Sequence, residues 1–275
     1  MINDRIILIT GSTDGIGKQV AFELAGRRAT VLLHGSNAGK AERVRNEIVR
    51  KTCNSKIQVY TADFSVMEQV RALADHIKRD HSKLDILINN AGVYMSRKEI
   101  TADGLEMTFA VNYLSVFILT LELLNLVNRS DYKRIINVSS QTHASHIDFQ
   151  NLQGEKRYSG YGAYALSKLM EIMFTFELAV KLWDTGITVN CLDPGVISTK
   201  LLHAGWGGGG ASVEEGAVTP VYLATSQEAG KVNGKYFINK GISKPAAIAY
   251  NEAIRAKLWE VSEQLSGVRF SHHLL

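Results

Sequence analysis

Cysteine and proline are both scarce in this sequence, which contains two cysteines and three prolines among 275 residues. The cysteines, Cys53 and Cys191, fall in different predicted elements, so they indicate neither a disulfide framework nor a set of zinc ligands. We therefore expect no bound metal. The prolines lie apart, and no linker rich in glycine, serine and proline divides the chain. The sequence is therefore expected to form a single domain over residues 1–275.

Charge of one sign and long apolar runs are also missing. Lysine and arginine number 31 against 27 aspartate and glutamate residues, a formal net charge of +4 that is too small and too dispersed to indicate a nucleic-acid partner. No stretch of about 18 uninterrupted apolar residues occurs, so we expect no transmembrane segment. The first predicted strand begins at Arg5, which leaves no room for a signal peptide and favours a cytoplasmic location.

Short apolar runs alternate regularly with helical patterns along the chain. The predicted strands cover residues 5–10, 30–34, 57–61, 84–88, 134–138 and 188–192. The predicted helices cover residues 15–27, 40–51, 66–81, 101–127, 161–183 and 213–224. Because the strands are apolar throughout, they are expected to be buried on both faces. This pattern predicts an α/β fold with a doubly wound, Rossmann-type parallel sheet.

Three glycines follow the first predicted strand, in the order Gly11, Gly15 and Gly17. A dinucleotide pyrophosphate needs backbone amides at a helix N-terminus and no side chain that would block its approach. A glycine trio is also found in ordinary tight turns, so its position after an N-terminal strand carries the inference. After the fourth strand, residues 89–92 (Asn-Asn-Ala-Gly) are small and amide side chains that could line the same crevice.

Tyr164 and Lys168 stand four residues apart on a predicted helix. This spacing places a phenol and an ammonium group on one helical face, where they can serve one site. Two nearby tyrosines, Tyr158 and Tyr161, have no lysine four residues later. Tyr164 is therefore the tyrosine that we expect to act in catalysis.

The motifs, in this order and at these intervals, resemble the short-chain dehydrogenase/reductase family over nearly the whole chain. The resemblance rests on residues 10–17, Asp63, residues 89–92, Asn112, Ser140, Tyr164, Lys168, Pro194-Gly195 and Thr199. It is closest to the retinol dehydrogenase and WW-domain oxidoreductase-like branch, because 24 residues separate Ser140 from Tyr164 and because of residues 155–158, 234–237 and 258–261.

The resemblance implies a nicotinamide cofactor and a catalytic set formed by Asn112, Ser140, Tyr164 and Lys168. Tyr164 would give and take a proton, and a lysine charge about 5 Å away contributes roughly 3 kcal/mol towards the phenolate, nearly enough to bring its pKa close to neutrality. Ser140 would bind the substrate oxygen; its neighbour Ser139 should face away, because adjacent strand residues point to opposite faces. Asn112 would complete a proton path, or would simply bond to backbone inside a helix.

The resemblance also implies the residues that bind the cofactor. They are Gly11, Ser12, Thr13, Asp14, Gly15, Ile16, Gly17, Ser36, Asn37, Asp63, Phe64, Asn90, Ala91, Gly92, Tyr164, Lys168, Pro194, Gly195, Val196 and Thr199. Asp63 would meet the adenine edge, or would cap the helix that begins near residue 66, or both.

The end of the second strand bears on the choice between NADP(H) and NAD(H). Enzymes that use NAD place an acidic residue there to bind the ribose diol, whereas this chain has none between residues 34 and 37. The arginine of related NADP enzymes is also absent. Ser36 and Asn37 can bond to a phosphate, and Lys40 or Arg43 could reach it or could be solvated helix charges. We therefore favour NADP(H) over NAD(H).

Two segments, 141–160 and 197–212, are expected to form substrate walls together with Tyr94 and Met95. Their apolar side chains favour a lipophilic aldehyde, ketone or alcohol, and His143 and His146 are expected to be packing or surface residues rather than catalytic ones. The four glycines at 207–210 predict either a mobile lid or a slack surface loop.

The sequence therefore predicts an NADP(H)-preferring carbonyl reductase or alcohol dehydrogenase. A catalytically silent NADP(H)-sensing protein is the first alternative. A sugar-nucleotide epimerase is disfavoured, because only about 80 residues follow Pro194. The apolar helix face at Leu166, Leu169, Met170, Met173 and Phe174 could be the interface of a homo-oligomer, or could lie on the sheet.

Overall fold

The structure, a computed structural model, describes residues 2–271 and contains one eight-stranded sheet. Its strands are β1 (Ile6–Ile9), β2 (Thr30–Gly35), β3 (Ile57–Thr61), β4 (Ile86–Asn89), β5 (Arg134–Val138), β6 (Thr188–Asp193), β7 (Tyr236–Ile238) and β8 (Gly241–Ser243). Their spatial order is β3-β2-β1-β4-β5-β6-β7-β8. The first seven strands pair in parallel, and β8 pairs antiparallel with β7. The predicted doubly wound, Rossmann-type sheet is confirmed.

Helices cover both faces of the sheet. They are α1 (Gly15–Gly26), α2 (Ala38–Thr52), α3 (Met67–Asp80), α4 (Met107–Phe109), α5 (Ser115–Asn128), α6 (Gly160–Lys181), α7 (Lys200–Trp206), α8 (Val213–Thr225) and α9 (Glu252–Ser266). On β1, Leu8 packs into one core with α3, α5, α6 and α9. Its neighbours Ile7 and Ile9 pack into the opposite core with α1, α2 and α8. The central strands β1, β2, β4, β5 and β6 are buried on both faces because each face of the sheet carries its own core.

The strand order reverses between β1 and β4. From β1 the chain proceeds outward to β2 and β3, and then returns to the other side of β1 to form β4, β5 and β6. In open parallel sheets, a crevice forms at this switch point, outside the C-terminal ends of the strands. The glycine turn after β1 and residues 89–92 after β4 therefore meet at this crevice.

Five elements differ from the sequence prediction. Strands β7 and β8 and helices α7 and α9 were not predicted, and β7 and β8 are only three residues long. The predicted helix 101–127 was wrong over its first six residues, because Gly104 adopts a φ of 78° and breaks the helical path. The helix begins instead after Glu106, whose carboxylate accepts hydrogen bonds from the backbone N–H groups of Thr108 and Phe109.

One segment, Met107–Asn128, is long and apolar enough to cross a membrane by length and composition. It comprises α4, a π-helical turn (Ala110–Leu114) and α5. Within the fold, 89% of its most apolar 18-residue window is buried. Burial of this kind is also typical of the core helix of a globular domain.

The apolar face of α6 packs inside the chain. Leu169, Met170, Met173 and Phe174 are buried, and Leu166 packs against the same core. Of the two readings of this face, a helix lying on the sheet is confirmed. These residues are therefore not available as an interface between subunits.

Candidate active site

The glycine turn after β1 packs closely against residues that follow β4. A Cβ atom on Gly11 would lie 2.8 Å from the Ala91 Cα atom, and Gly11 also has a φ of 64°. A Cβ atom on Gly17 would overlap the Asn90 amide. That amide donates hydrogen bonds to the Thr10 and Gly11 carbonyl oxygens, at 2.9 and 3.2 Å. The turn therefore requires glycine at both positions, and the Asn90 side chain holds it in place.

His34, at the end of β2, also supports the glycine turn. Its Nδ1 atom accepts a hydrogen bond from the Gly11 N–H at 3.2 Å, and its Nε2 atom lies 3.1 Å from the Ala62 carbonyl oxygen. Burial lowers the pKa of His34 to about 4, so the ring is neutral near pH 7. The sequence showed only that this residue is not acidic, and its structural role was not predicted.

A cavity of about 470 Å³, here called the glycine-turn cavity, lies over this turn. Its lining contains most of the predicted cofactor-binding residues, namely Gly11, Thr13, Asp14, Gly15, Ile16, Gly17, Ser36, Asp63, Phe64, Asn90, Ala91, Gly92 and Thr199. Ser12 is buried beneath the turn and bonds to the His34 backbone. Asn37 is not in this lining. Its side chain accepts a hydrogen bond from the Lys40 N–H and caps α2, so the capping oxygen is already engaged.

Asp14, which lines this cavity, forms ion pairs with two lysines. Its carboxylate caps the Gly15 N–H at the start of α1 and lies 2.6 Å from the Lys40 ammonium and 2.8 Å from the Lys200 ammonium. Hydrogen bonds from these lysines lower the pKa of Asp14 well below its usual range. Of the two readings of Lys40, a charge that reaches the cavity mouth agrees better with this placement than a solvated one.

Asp63 does not cap α3 through its side chain. Its carboxylate accepts hydrogen bonds from the backbone N–H and hydroxyl of Ser65. The Met67 N–H at the start of α3 instead donates to the Asp103 carboxylate at 2.7 Å. Asp63 therefore faces the glycine-turn cavity, and the capping alternative is wrong.

A second cavity of about 230 Å³, here called the tyrosine cavity, contains Ser140, Tyr164 and Lys168. Pro194, Gly195, Val196 and Thr199 also line it. Ile16, Asn90, Gly92, Thr199 and Leu201 border both cavities, so the two are continuous. The Ser140 hydroxyl accepts a hydrogen bond from the Thr142 N–H and bonds to the Tyr164 phenol. The Ser139 hydroxyl instead donates to the Lys168 carbonyl oxygen at 2.9 Å.

The environment of Tyr164 differs from the expectation in one respect. Burial is the largest influence on the phenol and raises its pKa above the usual value, although Lys168 and the hydrogen bond with Ser140 lower it. The Lys168 ammonium lies 5.8 Å from the centre of the Tyr164 ring. Burial of the phenol, which was expected to oppose Lys168, therefore outweighs this one nearby charge, and Lys168 by itself does not bring the phenol close to neutrality.

Lys168 is paired with a carboxylate that the sequence analysis missed. Its ammonium donates to Glu171 Oε2 at 2.7 Å and to the Val138 carbonyl oxygen at 2.9 Å. Both side chains are buried, with exposed fractions of 4% for Lys168 and 1% for Glu171. A carboxylate three residues after a lysine on an otherwise apolar helix was a signal that could have identified this pair.

Asn112 lies in the π-helical turn and is fully buried. Its amide donates to the Val93 carbonyl oxygen at 3.0 Å and to the Ser167 hydroxyl at 3.1 Å, and its Oδ1 atom accepts from the Val93 N–H. The side chain therefore joins the loop after β4 to α6. Of the two roles considered for Asn112, a proton path or hydrogen bonding to backbone, the geometry shows hydrogen bonding to backbone. The amide oxygen and the Lys168 ammonium both approach Gly92, at 3.6 and 3.8 Å from the position of a Cβ atom there.

The two rival tyrosines lie outside the tyrosine cavity. The Tyr158 hydroxyl donates to the Met95 carbonyl oxygen and contacts Glu106, and Tyr161 is 57% exposed. Instead, Trp206 at the end of α7 covers Tyr164, with ring centres 5.5 Å apart in an edge-to-face arrangement. Tyr94 packs against both rings.

The two segments that were predicted as substrate walls contribute unequally to the tyrosine cavity. Segment 197–212 contributes Ile197, Leu201, Leu202 and Trp206 to the tyrosine cavity, together with Gly208. From segment 141–160 only Thr142 reaches that cavity, and most of the segment surrounds a separate cavity of about 610 Å³. Its His143 bonds to the Ser140 carbonyl oxygen and accepts from the Ala246 N–H, in agreement with a packing role.

No group of three or more His, Cys, Asp or Glu side chains that could hold a metal ion occurs within residues 2–271.

A cavity of about 470 Å³ on a glycine turn, next to a cavity that contains a half-buried serine with a buried tyrosine and lysine, defines a class of nicotinamide-dependent oxidoreductases. The chain belongs to the short-chain dehydrogenase family, whose model matches residues 5–206, and it acts on CH–OH or C=O groups. Within the family it belongs to the retinol dehydrogenase-like branch.

The similar proteins support this assignment over nearly the full chain. Human retinol dehydrogenase 12 is 38% identical, with 97% of this chain and 87% of that protein aligned. Human polyprenol dehydrogenase is 35% identical, with 96% and 86% aligned. Among solved structures, a protein from Mycobacterium paratuberculosis has a TM-score of 0.82 at 28% identity and covers 98% of this chain and 96% of its own. A Shigella flexneri short-chain dehydrogenase in complex with NADP has a TM-score of 0.70 at 26% identity, with 86% and 97% covered.

Proposed function

We propose that this protein is an NADP(H)-preferring oxidoreductase that interconverts lipophilic aldehydes or ketones and their alcohols. One observation carries the proposal. The phenol of Tyr164 opens into a cavity that is apolar on the α7 side and continuous with a glycine-turn cavity whose β2 end carries no carboxylate.

The residues fit a dinucleotide, because the glycine-turn cavity lies at the N-terminus of α1 and is lined there by Gly11, Gly15 and Gly17, which have no side chains. The glycine-turn cavity would hold the nucleotide, and the residues shared with the tyrosine cavity would hold the nicotinamide end. The bound cofactor supplies or accepts the hydride. Tyr164 would exchange the proton with the substrate oxygen, and Ser140, already bonded to the phenol, would hold that oxygen and stabilise the charge that develops on it.

An enzyme accounts for the site better than a silent cofactor-binding protein. A sensor has no physical need for a serine, a buried phenol and a buried ammonium in one cavity. An epimerase is also disfavoured, because the part of the chain after Pro194 that the structure describes adds β7 and β8 to the same sheet and forms no separate substrate domain.

The cofactor preference rests on charge at the end of β2. Ser36 lines the glycine-turn cavity, and the Lys40 and Lys200 ammonium groups lie together on Asp14 at its mouth. A 2′-phosphate there would meet the Ser36 hydroxyl and the two lysines that pair with Asp14, whereas β2 ends without the acidic residue that binds the ribose diol in NAD enzymes. The similarity to a solved structure in complex with NADP supports the same choice.

Replacing Ser36 with arginine is expected to widen the preference for NADPH over NADH by about tenfold, because arginine can bind a phosphate through two parallel hydrogen bonds. Dissociation constants of both cofactors, measured by fluorescence titration of the wild-type and Ser36→Arg proteins, test this. The matched control is Asn46→Arg on the outer part of α2, which adds the same charge outside the cavity and should leave the ratio unchanged. Tighter NADH binding by the wild-type protein would refute the proposed preference.

The substrate class rests on the apolar wall formed by α7. We expect kcat/KM to rise severalfold per carbon for aldehydes of about four to about twelve carbons before it levels off, since each buried methylene contributes roughly 0.8 kcal/mol. Leu202→Ser should reduce this slope, because Leu202 lines the tyrosine cavity. Leu265→Ser is the matched control, since Leu265 is exposed on α9. If kcat/KM does not change along the series, the proposed lipophilic substrate class is refuted, whereas the proposed oxidoreductase activity is not.

A further inference from the structure

The buried ion pair between Lys168 and Glu171 adds a negative charge to the centre of the site. The pair joins two residues on one face of α6 and lies between that helix and the sheet, where the ammonium also donates to the Val138 carbonyl oxygen at the end of β5. Within residues 2–271, no donor reaches the second carboxylate oxygen, Oε1. The hydrogen bonding of the carboxylate is therefore directed to Lys168 alone.

We propose that Glu171 is a positioning residue that holds the Lys168 ammonium on the sheet side of α6. Its carboxylate partly offsets the effect of the Lys168 charge on Tyr164. This proposal rests on the proposed function, in which Tyr164 exchanges the proton. A lysine without a counter-ion would exert its whole charge on the phenolate. A lysine with its own buried counter-ion stabilises it less, so the phenol keeps its proton to higher pH and is better suited to protonate a carbonyl oxygen than to deprotonate an alcohol.

The effects of the nearby charges on the pKa of Tyr164 have the direction that this proposal requires. Glu171 raises the pKa of the Tyr164 phenol, in opposition to Lys168. Burial raises the pKa of Glu171 itself to about 7, so the carboxylate is charged in the range above pH 7 where Tyr164 ionises. The other titratable group close to Glu171 is the Cys191 thiol on β6, whose pKa burial raises, so it stays neutral. Asp193 on β6 also raises the pKa of Tyr164, and it is present in every variant below.

The sign of the expected change follows from the role of the phenol. Carbonyl reduction needs the protonated phenol and is lost as pH rises through its pKa, whereas alcohol oxidation needs the phenolate and appears over the same range. Removing the charge of Glu171 lowers the pKa of the phenol. The two limbs of the pH profile are the fall of carbonyl reduction and the rise of alcohol oxidation. Both should therefore move to lower pH.

In Glu171→Gln, which keeps an oxygen for Lys168 but removes the charge, both limbs are expected to shift down by about one pH unit. At about pH 8, kcat/KM for alcohol oxidation should then exceed the wild-type value by about tenfold. At about pH 6, where wild-type Glu171 is itself largely protonated, the two proteins should be nearly equal. Glu171→Asp keeps the charge and should retain the wild-type limbs.

Glu177→Gln provides the matched control. Glu177 lies on the same helix and pairs with Arg255 at 3.2 Å, so this variant loses an ion pair that has no contact with Lys168. Its limbs should stay in place. If the limbs of the pH profile do not shift in Glu171→Gln, or if the rate falls equally at every pH, the proposal is overturned. The ion pair between Lys168 and Glu171 would then have a structural role only.

A titration of the ligand-free protein gives a second readout that does not need turnover. Carbon NMR of protein labelled at the phenol carbon of tyrosine, with the Tyr164 signal assigned from Tyr164→Phe, follows phenol ionisation directly. We expect Tyr164 to ionise about one pH unit lower in Glu171→Gln than in the wild-type protein. Equal ionisation in the two proteins would overturn the role of Glu171. Absence of turnover by the wild-type protein would count against the proposed function alone.

Discussion

Replacement of Tyr164 with phenylalanine is expected to lower kcat by at least about a hundredfold, because general acid–base groups contribute roughly 10² to 10⁴ in rate. The substitution removes one oxygen atom from a ring that is 6% exposed and leaves the ring contact with Trp206 intact. The glycine-turn cavity does not include Tyr164, so cofactor affinity should change little. Steady-state kinetics and a cofactor titration on the same preparation measure both quantities.

Tyr158→Phe is the matched control for this prediction. Tyr158 has the same chemistry and lies six residues earlier, but its hydroxyl bonds to the Met95 carbonyl oxygen and to Glu106, outside the tyrosine cavity. Its removal should change kcat less than about threefold. Wild-type turnover by Tyr164→Phe, or an equal loss in both variants, would mean that another group handles the proton.

Replacement of Lys168 with alanine should have a larger effect on both activity and stability. A positive charge 5.8 Å from the phenol ring contributes about 3 kcal/mol towards the phenolate at an effective dielectric constant of about 20. Its loss also leaves Glu171 buried without its partner, and breaking a buried pair in this way costs about 3 to 5 kcal/mol. We expect alcohol oxidation below the limit of detection and a lower midpoint of urea unfolding.

A double variant separates these two effects. Lys168→Met combined with Glu171→Met replaces the buried pair with apolar side chains of similar length, which is often neutral or stabilising. The double variant should recover most of the stability lost in Lys168→Ala and none of the activity. Recovery of activity together with stability would show that Lys168 only supports the fold.

The sheet and the glycine turn could be predicted because their signals are local. Each of the first six strands is an apolar run long enough to be recognised, and the glycines follow β1 directly. β7 and β8 were missed because three residues are too few to form a pattern. Helix α9 did carry a signal, since Asn251 caps its start and Gly267 ends it in the left-handed conformation. That signal was overlooked.

The contacts that tune the site could be predicted only in part. The order of motifs identified Ser140, Tyr164 and Lys168, and Glu171 could have been added from its spacing. The bond between Asp14 and Lys200 and the packing of Trp206 on Tyr164 join residues far apart in the chain. Such contacts depend on how the elements pack and leave no trace in local sequence. The same reason explains why segment 141–160 was given a larger share of the substrate wall than the structure shows.

The most direct test of the account is the rate at which the purified wild-type protein oxidises NADPH and NADH in the presence of a long-chain aliphatic aldehyde. We expect turnover with both cofactors, a higher kcat/KM with NADPH, and loss of turnover in Tyr164→Phe. Tight binding of NADPH without turnover of any aldehyde or ketone would contradict it and would favour a cofactor-sensing protein.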